Sequence, residues 1–144
     1  MSTRAASTVS PGDTLDQLVI PLTRTLIVAG AIASRDYQDV HHDSVLAVER
    51  GSKDIFMNIL TTNGLVGRYI TDWSGPGGIL RKVDIRLGAP NYPDDTMTLT
   101  GQVVEVNDDE KDPSRSVVDV AIVGANSLGN HVQGTVRVSL PKEA

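Results

Sequence analysis

The sequence predicts an α+β domain in which an antiparallel sheet curls around one long helix. Three observations predict it. Aliphatic residues alternate at period two through the C-terminal half. A single long stretch of helical period precedes them. Only five residues are aromatic, namely Tyr37, Phe56, Tyr69, Trp73 and Tyr92, so the interior must be built mainly from Val, Ile and Leu, which favour strands.

In chain order, residues 1–13 combine Ser, Thr, Ala, Pro and Gly and read as a flexible N-terminal tail, leaving 14–144 as a single domain. Leu15–Ile20 reads as a short strand that Pro21 turns into an edge piece or a bend. Thr23–Ala33 is rich in Ile, Val, Leu and Thr and reads as a second strand, with Gly30 as a bulge. Asp43 can cap a short helix over Ser44–Arg50, with Gly51 at its C′ position.

Ser52 then reads as the cap of the long helix, with Asp54 in its first turn. Ile55, Ile59, Val66, Ile70 and Trp73 recur near helical spacing up to the stop at Gly75-Pro76-Gly77-Gly78. Four strands follow, marked by Ile79/Val83/Ile85/Leu87, Met97/Leu99/Val103, Val118/Val120/Ile122 and Val136/Val138/Leu140. Leu128-Gly129-Asn130 reads as a turn, and the charged segment Asn107–Arg115 as a mobile loop. A long helix wrapped by one sheet is the hot-dog arrangement. Its open sheet edge favours pairing with another subunit.

Composition excludes several functions. The net charge is −5 and no basic patch is evident, which argues against nucleic acid as a partner. Without cysteine there is neither a disulfide framework nor a thiolate zinc site. No run approaches the about 18 apolar residues of a membrane helix, and residues 1–13 lack the apolar core of a secretory signal. A cytoplasmic location away from the membrane is expected.

Ser34–Asp43 is the densest ionisable segment and holds two of the three histidines. Asp36 and His41 could share one water if the turn brings them together, which suits addition of water to an activated double bond. The spacing alone also admits plain solvated loop residues. A metal site is disfavoured because the adjacent His41, His42 and Asp43 diverge. His131, isolated on a strand, reads as a surface or structural histidine. Tyr37 could orient Asp36 or cover the turn, and Trp73 could pack in the core or wall a substrate pocket. Arg35, Lys53, Arg68, Arg81 and Lys82 are possible contacts for phosphate groups of a ligand.

The run Arg35-Asp36-Tyr37-Gln38-Asp39-Val40-His41-His42-Asp43 resembles the hydratase motif of the MaoC-like (R)-specific enoyl-CoA hydratases, in which an Asp is followed five residues later by a His. The likeness continues through Gly51-Ser52-Lys53-Asp54-Ile55-Phe56, Asn58-Ile59-Leu60-Thr61, Arg68-Tyr69, Thr71-Asp72-Trp73, Gly75-Pro76 and Arg86-Leu87-Gly88. It spans roughly Val19 to Leu140. It is strongest toward the small MaoC-like subunit of the actinobacterial steroid side-chain hydratases of cholesterol breakdown.

The resemblance implies Asp36 and His41 as the catalytic pair. It also implies a thioester-polarising backbone N–H near Asn58-Ile59, where the wider family often has His-Gly. It further implies an acyl-CoA thioester substrate, no cofactor beyond the CoA of that substrate, and a second hot-dog subunit in an α2β2 heterotetramer. A homodimeric short-chain hydratase, a hot-dog thioesterase and a non-catalytic pocket-shaping subunit are the alternatives. The thioesterase lacks support from its usual Gly-His-Val-Asn-Asn-like run, which is absent here.

Overall fold

A computed structural model describes residues 2–143. The elements are β1 (Thr14–Leu22), α1 (Arg24–Ala33), α2 (Ser44–Glu49), α3 (Ile59–Ser74), β2 (Ile79–Leu87), β3 (Asp95–Asp108), β4 (Arg115–Asn126) and β5 (Gly129–Pro141). The strands form one antiparallel sheet in the order β1-β3-β4-β5-β2. Bulges in all four strand pairings bend it around α3.

The period-two pattern maps onto the inner face. Met97, Leu99, Val103, Val118, Val120, Ile122, Val136, Val138 and Leu140 are all buried. Burying each such side chain contributes about 1.5–3 kcal/mol. On α3 the facing stripe is Thr62, Leu65, Val66, Tyr69, Ile70 and Ser74, spaced three and four apart. The opposite side of the helix start exposes Ile59 and Leu60, and Ile79 and Leu80 of β2 are exposed too.

The segment Thr23–Ala33 is where the expectation of a strand fails. Thr23 Oγ1 accepts the N–H of Leu26, and a helix runs from Arg24 to Ala33. Its buried positions, Ile27 and Ala31, lie four apart. The β-branched composition suggests a strand, but a capped start and an apolar stripe of helical period outweigh it. Gly30 is no bulge. A Cβ there would overlap the Thr61 side chain, so glycine lets α1 cross α3 closely.

The long helix also begins later than the sequence suggests. Residues 52–58 are not helical: a bend at Lys53-Asp54 leads into 55–58, with Phe56 N–H donating to Val40 O at 3.1 Å and Met57 N–H to Asn91 O at 3.0 Å. Ile55 and Met57 are buried on alternate positions. Asp54 is not a first-turn dipole partner; it takes two bonds from the Arg24 guanidinium, at 3.0 and 2.7 Å. Asn58 is the true cap, its Oδ1 accepting from Thr61 N–H at 2.9 Å. The stop is where expected, at Gly75 with φ 72°.

Of the tail read over residues 1–13, Met1 lies outside the described residues and 2–13 carry packed positions. Ala5, Ala6 and Val9 are buried, and Arg4 N–H donates to Ser74 O at 2.9 Å at the end of α3. The charged β3–β4 connection is tied down as well. Buried Asp109 accepts from Ser139 Oγ at 3.1 Å and from Arg81 at 3.3 Å. The β4–β5 turn falls on Ser127-Leu128, one residue earlier than read, with Gly129 at φ 129°. Asp43 caps α2 as expected, accepting from Val45 and Leu46 N–H.

Candidate active site

The end of α1 delivers Asp36. Arg35 takes the left-handed conformation, φ 57°. Its N–H donates to Ile32 O at 3.0 Å, and Asp36 N–H donates to Ala31 O at 2.9 Å. These crossed bonds are a Schellman closure, which usually places glycine where Arg35 stands. Ser34 Oγ adds a bond to Gly30 O at 2.7 Å. Asp36 is therefore fixed by backbone geometry at the mouth of the cradle.

A 3-10 turn over Asp39–His41 then folds the chain back and buries His41. Its Nδ1 lies 2.7 Å from Phe56 O. A carbonyl oxygen only accepts, so Nδ1 carries the proton and the Nε2 lone pair is free in the neutral ring. The Phe56 ring meets the imidazole edge to face at 5.0 Å. Nε2 stands 3.4 Å from Asp36 Oδ2. No water fits on the line between two acceptors at this range, but one water seated beside the pair can donate to both.

Asn58, also buried, reaches the same carboxylate. Its Nδ2 donates to Asp36 Oδ2 at 3.0 Å and to Ser34 Oγ at 2.9 Å. The Asn58 amide holds the Asp36 carboxyl below its usual range; partial burial opposes this, while the Gln38 N–H and, in its protonated form, the His41 ring add to it. Both amide protons of the Asn58 side chain are engaged, which leaves the expected polarising role to a backbone N–H. The Ile59 N–H is different. Thr62 N–H reaches Asn58 O and Thr61 N–H reaches the cap, whereas Ile59 is the first helical residue, whose N–H has no intrahelical acceptor.

These groups line a cleft of about 410 Å³ with Gln38, Val40, Phe56, Met57, Leu87, Gly88, Pro90 and His131. His131, which sequence reading leaves off the site, forms its floor. It bonds Ala89 O through Nδ1 at 2.7 Å and Thr62 Oγ1 through Nε2 at 2.8 Å, and burial pulls its pKa down. Only the sheet register brings it there, so no local signal marks it. Its bonds make it a structural histidine, as the sequence suggests.

Other expected residues fall elsewhere. Tyr37 is 67% exposed and does not line the cleft. Trp73 sits at the far end of α3 under the Arg4 guanidinium, 5.0 Å from its ring centroid, and so walls no part of this cleft. His42 is exposed and Asp43 caps α2, so neither joins the pair. Arg68, Arg81 and Lys82 are paired with Asp72, Asp109 and Asp84. Arg35 is exposed beside Asp36, and Lys53 stands over the Tyr92 ring.

Fold and cleft together define a class, the hot-dog proteins of hydratase type. No family model matches the chain. It is 48% identical over 129 residues to the 3-oxo-4,17-pregnadiene-20-carboxyl-CoA hydratase beta subunit of Mycobacterium tuberculosis, covering 90% of this chain and 95% of that one. The chain belongs to the MaoC-like enoyl-CoA hydratase family. It is similar to a chain in the crystal structure of the ChsH1-ChsH2 complex of the same organism, with a TM-score of 0.85, 47% identity, and coverage of 92% of this chain and 99% of that chain. The R-hydratase PhaJ1 of Pseudomonas aeruginosa shares the fold, with a TM-score of 0.80 at 20% identity over 96% of this chain and 86% of that one. Among the described residues no helix is long and apolar enough to cross a membrane.

Proposed function

We propose that this chain is the catalytic subunit of a heteromeric hydratase that adds water across the 2,3 double bond of an enoyl-CoA, with a steroid side-chain enoyl-CoA as substrate. The observation that carries the reading is the facing of His41 Nε2 and Asp36 Oδ2 at 3.4 Å with the Nδ1 proton held by Phe56 O. One water donates to both acceptors. Its oxygen attacks the β-carbon while the pair accepts one of its protons. A proton returns to the α-carbon on the same face, giving syn addition. The oxyanion that develops on the thioester is met by the Ile59 N–H at the positive end of α3. Asp36 and His41 meet the same water, so the base is the pair. No cofactor takes part in this scheme.

The partner reading has its own support. A cleft of about 410 Å³ is small for a steroid acyl group with its CoA arm. Ile59, Leu60, Ile79 and Leu80 are exposed apolar side chains on α3 and the edge strand β2. A second hot-dog subunit against β2 would cover them and extend the cleft, and an α2β2 heterotetramer in the cytoplasm is the assembly we infer. The similar hydratase beta subunit and the two-component complex favour the same reading.

The test is to assay the purified chain, alone and with a second MaoC-like subunit, on crotonyl-CoA and on a steroid side-chain enoyl-CoA. Loss of enoyl thioester absorbance without release of free thiol is expected, with the steroid substrate turned over only by the pair. Thiol release would mark a thioesterase. Full activity on crotonyl-CoA by the chain alone would mark a short-chain homodimer.

A further inference from the structure

We propose that Asn58 is a positioning residue for hydration, locking the Asp36 carboxylate and the amino end of α3 into one fixed relation. This rests on the reading of Asp36 as half of the water-holding pair. The side chain is 2% exposed and fully engaged. Its Oδ1 accepts from Thr61 N–H at 2.9 Å, while Nδ2 donates to Asp36 Oδ2 at 3.0 Å and to Ser34 Oγ at 2.9 Å. Ser34 Oγ in turn donates a hydrogen bond to Gly30 O at 2.7 Å. One amide therefore ties the last turn of α1, the carboxylate and the first turn of α3.

The choice of residue type is informative. Capping alone is satisfied about equally by Ser, Asp or Asn. Asp would cap Thr61 N–H but would turn a lone pair toward the Asp36 carboxylate in place of a proton. Among the side chains that cap best, only Asn offers the cap an oxygen and Asp36 an N–H from neighbouring atoms. The hydrogen bond selects Oδ2, the oxygen that also faces His41 Nε2 at 3.4 Å. The next residue along, Ile59, lines the same cleft and begins α3. The spacing between the water-holding oxygen and the oxyanion donor is thus set within one residue. The lowered Asp36 pKa, with the Asn58 amide as its leading cause, agrees with this geometry.

The experiment compares Asn58→Asp and Asn58→Ala with wild type in two measurements. The first is steady-state hydration of crotonyl-CoA and of a steroid side-chain enoyl-CoA by the chain with its second subunit. The second is a carbon-13 carboxyl titration of Asp36 in the chain alone. Asn58→Asp should keep the wild-type fold by circular dichroism because it keeps the cap, with a lowered melting temperature from the second buried carboxylate facing Asp36. Its kcat at neutral pH should fall about ten- to hundredfold with KM little changed, the loss of one charge-assisted bond. Its activity relative to wild type should rise as pH falls, because a protonated Asp regains a donor. In Asn58→Ala the Asp36 titration should move up toward the ordinary carboxylate range. Wild-type kcat in Asn58→Asp with a loss confined to Asn58→Ala would reduce Asn58 to a helix cap and overturn the proposal. An unmoved Asp36 titration in Asn58→Ala would overturn it equally. If wild type hydrates neither thioester, the functional reading falls, and the carboxyl titration alone decides whether Asn58 holds Asp36.

Discussion

His41 Nδ1 donates to the carbonyl oxygen of Phe56 at 2.7 Å, and this one bond sets which face of the imidazole meets Asp36. The carbonyl belongs to the segment that precedes α3, whose N–H in turn donates to Val40 O at 3.1 Å. The histidine and its backbone partner are thus held as a short reciprocal clasp. With Nδ1 engaged, Nε2 is the ring nitrogen that faces Asp36 Oδ2, at 3.4 Å. The following expectations depend on how that clasp and its neighbours are supported.

Arg35 adopts φ 57° at the C′ position of α1, with its side chain exposed. A non-glycine residue there carries about 1–2 kcal/mol of local strain. Arg35→Gly should therefore stabilise the chain by up to about 1 kcal/mol once glycine's extra chain entropy is set against the relief. The midpoint of urea unfolding should rise with an unchanged slope.

Gly30 faces Thr61 across the α1–α3 crossing, and an added Cβ overlaps that side chain. Helix propensity alone favours Gly30→Ala by roughly 1 kcal/mol. Overpacking costs about 1–3 kcal/mol and should win, so the variant melts lower. Thr61 Oγ1 is buried without a hydrogen-bond partner among the described residues. Adding Thr61→Ala should therefore return most of the lost stability, and a thermal melt of the double variant checks it.

His131 is neutral in its buried setting because burial lowers its pKa. The unfolded chain, with an ordinary histidine pKa of about 6.5, binds the proton more readily. Its contribution is therefore fully present above about pH 6.5 and is lost as pH falls through the lower folded value. Denaturant stability should fall between neutral pH and pH 5. In His131→Gln that part of the slope should vanish, although the variant starts from a lower stability because its bonds to Ala89 O and Thr62 Oγ1 are disturbed.

Much of this architecture is legible in the sequence, for physical reasons. The C-terminal strands declare themselves because side chains on a half-buried sheet alternate strictly, as Val118, Val120 and Ile122 do. The α1 segment misleads because Ile27, Val28 and Ile32 are β-branched, and only its cap at Thr23 and the crossing at Gly30 mark the helix. The start of α3 is hidden because Ser52 and Asp54 imitate a capped first turn, whereas Asn58 holds the cap. The pairing of Asp36 with His41 is suggested by likeness to a family motif. The bonds that orient the pair come from Ser34, Phe56 and Asn58, which no spacing rule links to it. His131 reaches the cleft only through the register of β5 against β2.

The most direct measurement is hydration by Asp36→Asn and His41→Ala, each assayed beside wild type in the presence of the second subunit and each checked for folding by circular dichroism. The shared-water account predicts that both variants keep their folded spectra and lose hydration by about a hundredfold or more, the scale of a lost general acid or base. Folded variants that turn over enoyl-CoA at near the wild-type rate would contradict it and leave the chain a pocket-shaping partner.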